Sequence, residues 1–559
     1  MKICFLWVEK FRNLRNFSLN LDSSQTFEYN NETHVIGRKR LKALPANFFP
    51  SVITDVAAVV GQNGVGKSNV LELVCRILKG SKSAKFDFLL IYEDDKGVHC
   101  SYRFQKMGKP TSKIRIQYHD EVKSNPLSVI FYSNVYTDRD RSLGTNVVDL
   151  SPDRSSRGRL NTNDRRTAEF QKQIWFINRE SGFSQTGIQP PTHVEVNVLR
   201  GPHDPGSGRP EYGPSKLFRK ASSKIRERAR RIDSHRKFIL LLTLIFSARL
   251  FDGMRPFSGK PENGGAMFSG FDQFIAILDG APLIDISKII IKYLEELVKK
   301  LPSGVEQTSS YLGIRNIGLE NLPEKVNFLK NLERKISSFE FEEPEADFRN
   351  MSHVTFQLKF APESREWLID LLEKFQGMQL FSVNWAGISS GQRAYLSLFS
   401  LIAHQLNKTK ENFVFLSIDE GDLYLHPMWQ VEFFSRLLDV LQRAYKGRVQ
   451  LLLSSHSPFL LADLPRQNFT VLSTLEASER DKLALNRETF GGNLYDLYAG
   501  PLFIDTLKTS LFAQQKLYEM AKNALVRPMS ERRKKELQNQ TRLIGDDIVK
   551  SLIIRDLND

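Results

Sequence analysis

The sequence predicts an α/β fold, and three observations carry that expectation. Apolar strand-like runs alternate with helical runs towards both ends of the chain. A glycine-rich turn, Gly61-Gln-Asn-Gly-Val-Gly-Lys-Ser68, stands between a strand at 55–60 and a helix from about 67 to 78. Between the two α/β stretches lies a basic segment of different composition. Repeats of any fixed period are absent.

In order, residues 2–9 and 16–21 read as short strands. Runs near 86–92, 98–104 and 112–118 alternate as an antiparallel sheet would, and 127–132 is a further apolar strand. Residues 284–301 carry Ile286, Ile290, Leu294 and Leu297 on one helical stripe between Pro282 and Pro302. This helix is too short for a coiled-coil arm. Helices near 323–338 and 362–375 flank a strand at 352–358. A strand–helix pair spans 379–406, and apolar strands lie at 413–418 and 449–454.

The 559 residues are 41% apolar and 26% charged, the balance of a globular chain and not of a disordered one. The longest near-apolar run, 238–248, is about half of the roughly 20 residues a membrane helix needs. Three cysteines (Cys4, Cys75, Cys100) suit a reducing cytoplasm and not a disulfide framework. Met1–Cys4 leads directly into a strand, so no signal peptide and no membrane partner are expected. The formal charge is +15, which favours an anionic partner. Residues 138–237 hold 21 Lys/Arg against 12 Asp/Glu, an excess of +9. Their first part, 138–215, reads from its Gly, Pro, Ser and Arg content as a long mobile loop. Residues 216–237 read as one basic helix running into 238–248. Lys224, Arg226, Arg228 and Arg230 on it are the candidates for binding nucleic acid or a partner, by displacing condensed counterions. A solvated helix face is the competing reading. Arg532–Lys535 form a second basic knot on a C-terminal helix.

The turn 61–68 fits G-x-x-x-x-G-K-[ST] in the strand–turn–helix setting that pattern requires. Its glycines let backbone N–H groups wrap phosphate oxygens, and the helix N-terminus adds a positive dipole end. Lys67 is placed to reach the β- and γ-phosphates, and Ser68 to ligate Mg²⁺. A P-loop lysine of this kind is expected to face solvent without ligand. Phe413–Asp419 is an apolar strand ending in two carboxylates: Asp419 suits the Mg²⁺ shell, and Glu420 suits a general base towards water. Ser389-Ser-Gly-Gln392 opens a helix and is another anion cradle. His456 ends the strand 450–455.

These four motifs, in this order, resemble the ABC-type ATPase superfamily in its SMC, RecF and OLD-like branch. Ser389, Ser390, Gly391 and Gln392 look like the signature, Asp422 like the D-loop residue, and His456 like the switch histidine. Arg12, in Glu9-Lys-Phe-Arg-Asn-Leu14, looks like the branch's phosphate-reaching arginine. Asn134 takes the slot where the family has its Q-loop glutamine. The resemblance implies ATP and Mg²⁺ as cofactors and further nucleotide contacts from Asn63, Gly64, Gly66 and Asn69. It also implies an ATP-sandwiched homodimer or higher oligomer, in which the signature of one copy faces the ATP of the other.

Within the branch, Asp419–Pro427, Ser455–Pro458 and Thr489–Leu497 look most like bacterial antiphage defence ATPases, above all the PtuA type of Septu and retron-associated Septu systems. OLD nucleases carry a Toprim domain after the switch histidine. Only 103 residues follow His456, with no Asp-x-Asp and no His-Asn-His cluster. The resemblance therefore implies an ATPase without its own nuclease, acting with a separate PtuB-like HNH nuclease. In a retron it would also act with a reverse transcriptase and its DNA–RNA hybrid. Two other readings stand beside it: a RecF-type repair ATPase that clamps DNA, and a transporter ATPase subunit, which the basic insertion disfavours. The expected organisation is an ATPase head split between 1–137 and 378–500, a mostly helical basic insertion at 138–377, and a helical segment at 501–559. The head is expected to combine a mixed sheet with an antiparallel subdomain.

Overall fold

The computed structural model describes residues 1–61, 64–80, 84–105, 108–119, 127–135, 143–144, 146–152, 162–199, 214–229, 232–254, 270–300, 320–342, 353–472, 488–494, 497, 510–526 and 528–558.

The N-terminal part runs β1 (Lys2–Phe11), β2 (Leu14–Asn20), β3 (Gln25–Asn30), β4 (Val35–Arg40), β5 (Ile53–Gly61) and α1 (Lys67–Gly80). It continues with β6 (Phe88–Asp94), β7 (Gly97–Arg103), β8 (Thr111–Ser112), β9 (Gln117–His119) and β10 (Leu127–Ser133). Next come β11 (Val147–Asp149), α2 (Thr162–Ile177), α3 (Glu180–Phe183), β12 (His193–Leu199), α4 (Pro214–Arg228), α5 (Ser234–Gly253), α6 (Phe271–Gly280) and α7 (Leu283–Lys300). They are followed by α8 (Leu322–Ile336), β13 (Phe341–Glu342), β14 (His353–Lys359) and α9 (Pro362–Lys374). The C-terminal part holds β15 (Phe381–Ala386), α10 (Ser390–Lys408), β16 (Phe413–Asp419), α11 (Pro427–Ala444), β17 (Arg448–Ser454), α12 (Pro458–Asp463) and β18 (Phe469–Leu472). Last are α13 (Leu511–Ala524), α14 (Glu531–Thr541) and α15 (Asp547–Asn558).

Six strands form the central sheet in the order β11-β10-β16-β17-β5-β18. Every pairing in it is parallel, where the sequence suggested a mixed sheet. Helices cross between its strands and cover both faces, so the strands are apolar throughout. The two faces still separate residue by residue. Ala57 and Val59 of β5 join Val70, Leu71 and Val74 of α1 in one core. Val56, Ala58 and Val60 join the larger core on the other face. Helix α1 lies between this sheet and the antiparallel-rich sheet β2-β1-β6-β7-β9.

Several expectations change. Strands β3 and β4 were not legible in the sequence; they pair with each other, and β8 extends them. The strand expected over 112–118 is two short pieces, β8 and β9, each parallel to its neighbour. The stretch 138–215 was expected to be loop, yet its described part folds. β11 edges the central sheet, α2 packs along α10, and β12 is an inner strand of the sheet β13-β14-β12-β15. Average composition hid a sparse apolar set: Phe170, Ile174 and Ile177 on α2, and Val194, Val196 and Val198 on β12, all buried. The single helix expected over 216–237 is two. Asp233 breaks it by capping α5, its side chain accepting from the Arg236 N–H at 3.0 Å.

The described residues of 138–377 thus combine helices with three strands of a sheet that takes its fourth, β15, from the C-terminal part. Helix α5 is apolar almost all round and sits inside the larger core. Helices α13–α15 enclose a small core of Ala524, Leu537, Ile553 and Leu557. Among the described residues no helix is long and apolar enough to cross a membrane.

Candidate nucleotide site

The parallel sheet brings its strand ends together in register. Ser133 at the end of β10 pairs with Asp419 of β16, and Asp419 with Ser454 of β17. The C-terminal edge of such a sheet is where ligands bind. Asp419 is 1% exposed. Its carboxylate accepts from Ser454 Oγ at 2.6 Å, Ser133 Oγ at 3.0 Å and Ser68 Oγ at 3.1 Å. Burial pushes this carboxyl up, with the Glu420 charge adding to the effect, while the serine hydroxyls pull the other way.

Lys67 does not face solvent, contrary to the sequence expectation. It is 4% exposed, and its Nζ donates to the Gly61 carbonyl at 3.0 Å and approaches His456 Nδ1 at 3.2 Å. Burial lowers its pKa, against the pull of Glu420 and Asp419. His456 Nε2 lies 2.9 Å from Glu420 Oε1. These partners choose the tautomer: Nδ1 accepts from the ammonium, so Nε2 carries the proton donated to Glu420. Lys67, His456 and Glu420 thus form one chain of contacts. Glu420 follows the strand with a left-handed backbone, φ +50°, held by its N–H on the Ser454 carbonyl at 3.0 Å.

The phosphate turn has the shape its glycines permit. Gly64 and Gly66 have φ of +81° and +102°, and a Cβ on Gly66 would come within 2.5 Å of Asn13 Nδ2. That close approach is used: Asn13 donates to the Val65 carbonyl at 2.8 Å and accepts from Asn69 Nδ2 at 2.6 Å. Arg12, at the tip of the β1–β2 hairpin, donates to Asn69 Oδ1 at 2.6 Å and pairs with Glu72 at 2.7 Å. The hairpin is therefore fastened to the start of α1. Asn63 lies outside the described residues.

Asn134 donates to the Gly421 carbonyl at 3.1 Å and accepts from Tyr132 Oη at 2.6 Å, tying β10 to the turn after β16. Asp422 accepts from Ser455 Oγ at 2.6 Å. Ser389 and Gln392 cap α10 reciprocally: Gln392 N–H donates to Ser389 Oγ at 3.1 Å, and Ser389 N–H to Gln392 Oε1 at 2.8 Å. Ser390 is exposed and Gly391 buried, where a Cβ would meet the Tyr424 carbonyl at 2.9 Å. A cavity of about 640 Å³ separates this turn from the end of β10, lined by Asn134, Glu169, Ser390, Arg393 and Tyr424 among others.

Sequence reasoning passed over Ser133 and Ser454, and nothing in a serine at a strand end marks it before the pairing is known. Ser68 and Asp419 are hard oxygen donors side by side, which suits Mg²⁺. Lys224, Arg226 and Arg228 lie away from this site on α4. Lys224 and Arg228 are exposed, and each also has a partner within the fold. Lys224 pairs with Asp279 at 3.3 Å, and Arg228 donates to the Ala281 carbonyl at 2.8 Å. Arg226 is half-buried, and burial lowers its pKa. Arg230 lies outside the described residues.

Residues 308–462 match the family model described as "AAA domain, putative AbiEii toxin, Type IV TA system". That segment contains the turn 389–392, β16, Glu420 and His456 but not the turn 61–68. The chain is also similar to the "Retron Vc95 probable ATPase" of Vibrio cholerae serotype O1 biovar El Tor, 27% identical over 142 residues. The similarity covers 24% of this chain and 26% of that protein, so it spans about a quarter of the relative's length.

Proposed function

We propose that this chain is the ATP-binding and ATP-hydrolysing subunit of a bacterial antiphage defence assembly of the retron or Septu type, and that it governs a separate HNH nuclease. The observation that carries the ATPase reading is the convergence of Lys67, Ser68, Asp419, Glu420 and His456 from three strand ends into one hydrogen-bonded group. The similarity to a retron probable ATPase supports the setting. A nucleic acid, such as a DNA–RNA hybrid made by a reverse transcriptase, completes the proposed assembly.

In this reading Lys67 leaves the Gly61 carbonyl to meet the terminal phosphates. Ser68 and Asp419 hold Mg²⁺, which neutralises phosphate charge. Glu420 accepts a proton from the attacking water, and His456, already bonded to it, orients its carboxylate. The exposed signature turn of a second copy closes the site over ATP, so the working unit is at least a dimer.

Glu420→Gln tests the reading. The amide cannot take the proton, so turnover should fall by about 10²–10⁴ while ATP is still bound, and an ATP-held dimer should accumulate in light scattering. Turnover at the wild-type rate would remove Glu420 from the role. Purification from the native operon should bring down a nuclease and a reverse transcriptase. Duplex DNA alone would turn the reading towards a RecF-type clamp.

A further inference from the structure

Besides the α4 cations, the structure gathers a basic group where α2 and α10 end together. Lys172 and Arg179 come from α2 and the residues just after it, Lys408 from α10, and Arg365 from α9. The Arg179 guanidinium lies 4.6 Å from the Trp175 ring centroid and donates to Asn407 Oδ1 at 3.1 Å. Trp175 meets the His404 imidazole edge-on, centroids 4.9 Å apart. Arg365 lies 4.7 Å from the Phe360 ring centroid and donates to Asn178 Oδ1 at 3.2 Å. Asn178 is the neighbour of Arg179, so the two guanidinium groups sit around one turn of chain.

No ion pair joins these four cations to a carboxylate among the described residues. Glu169, the acid nearest Lys172, turns inward to Ser397 and Gln173. His404 registers the resulting field. Burial, then the charges of Lys408, Lys172 and Arg179, push its imidazole down to about 4, so it stays neutral under these cations. Rings and amides fix the two arginines in place. Such pre-orientation suits guanidinium groups to phosphate oxygens better than a mobile lysine array.

We propose that this face, formed by Lys172, Arg179, Arg365 and Lys408 around Trp175, docks the phosphate backbone of a nucleic acid. The argument is charge complementarity: four cations that form no ion pair among the described residues, two of them held by rings and amides, match a chain of phosphates. It gives the nucleic acid of the proposed assembly a place on the fold. That place differs from the helix the sequence favoured. Helix α10 begins at the signature turn and ends here, 19 residues later, about 28 Å along its axis.

The test uses the full chain and fluorescence anisotropy with a labelled RNA–DNA hybrid, duplex DNA and single-stranded RNA across a salt series. Arg179→Ala with Lys408→Ala should weaken binding about tenfold or more. It should also reduce the slope of log K against log [salt] by roughly 0.7–0.9 for each phosphate no longer neutralised. The charge-keeping pair Arg179→Lys and Lys408→Arg should retain most of the affinity. ATP turnover without nucleic acid should match wild type. Should the double alanine variant melt early, Arg365→Gln and Lys408→Gln, each alone, must reduce the slope by the share of one contact, roughly 0.7–0.9. Wild-type affinity and slope in these variants would overturn the proposal, as would displacement of the hybrid by millimolar inorganic phosphate, which marks a simple ion site. The ATPase reading is judged separately by Glu420→Gln, so the two can fail independently.

Discussion

Asp419 is surrounded by three serine hydroxyls because parallel pairing puts strand-end residues abreast, and Ser68 opens the helix that packs beneath them. A carboxylate this buried costs free energy unless its oxygens are bonded, and these bonds hold it ready for a cation. Lys67 follows the same logic. Its ammonium meets the Gly61 carbonyl and His456 instead of water. A residue-scale prediction concerns acid. The His404 imidazole is held at about 4 when folded, against an ordinary value near 6.5. Between those values the unfolded chain binds the proton and the folded chain does not, so acidification favours unfolding. The contribution is whole above about pH 6.5 and is lost as the pH falls towards 4. Half-exposure keeps it small. Asp463, raised to about 6 by burial, opposes it, its own contribution being lost as pH rises. His404→Gln should therefore flatten the fall in melting temperature between pH 6.5 and 4. An unchanged profile would assign the acid sensitivity to other groups.

At the scale of elements, the turn 389–392 has a structural duty besides any contact with nucleotide. Ser389 and Gln392 satisfy each other's backbone N–H at the start of α10, and that helix carries a large share of the core, from Tyr395 to Leu406. Ser389→Ala should cost about 1 kcal/mol, while Ser389→Gly should cost only a few tenths. Thermal or denaturant melts of the two variants check this. No loss on Ser389→Ala would mean that the cap contributes nothing. Helix α2 shows the opposite case, an element invisible to averages. Its apolar residues recur at helical spacing among Arg, Lys and Gln, and only their shared burial against α10 and β15 sets the helix apart from the polar chain before it.

For the whole molecule, one side chain joins two sheets. Gln450, 1% exposed on β17, accepts from Ile3 N–H at 2.8 Å and donates to the carbonyls of Ile3 at 2.7 Å and Leu21 at 3.0 Å. Lys2 adds ion pairs to Asp22 and Asp55 at 2.7 Å each. The N-terminal sheet is thereby fixed to the central one, with α1 between them. Gln450→Leu would leave three buried backbone groups unpaired. At about 1–3 kcal/mol each, the loss should be roughly 3 kcal/mol or more, read as a lower denaturant midpoint with α1 and the nucleotide site affected together. A stability loss below about 1 kcal/mol would show that the sheets are held by packing alone. The middle of the chain is joined as firmly. Its core continues into that of the C-terminal strands and helices, and β12 lies between β14 and β15.

What local chemistry encodes was legible in the chain alone. The turn 61–68 needs its glycines and its strand–helix setting, β16 needs an unbroken apolar run before Asp419 and Glu420, and α7 needs the stripe of Ile286, Ile290 and Leu294. Each is written in consecutive residues, so spacing alone exposes it. Folding settled what depends on partners far away in the chain. Ser133 and Ser454 became hydrogen-bond donors to Asp419 only through strand register, and β12 became a strand only by lying between β14 and β15. Basic residues sorted in the same way. Lys224 and Arg228 met Asp279 and the Ala281 carbonyl, whereas Arg179 and Lys408, unremarkable in sequence, came together where α2 and α10 end. A side chain's charge is fixed by its chemistry, but whether that charge is free depends on which groups the fold brings within a few ångströms of it.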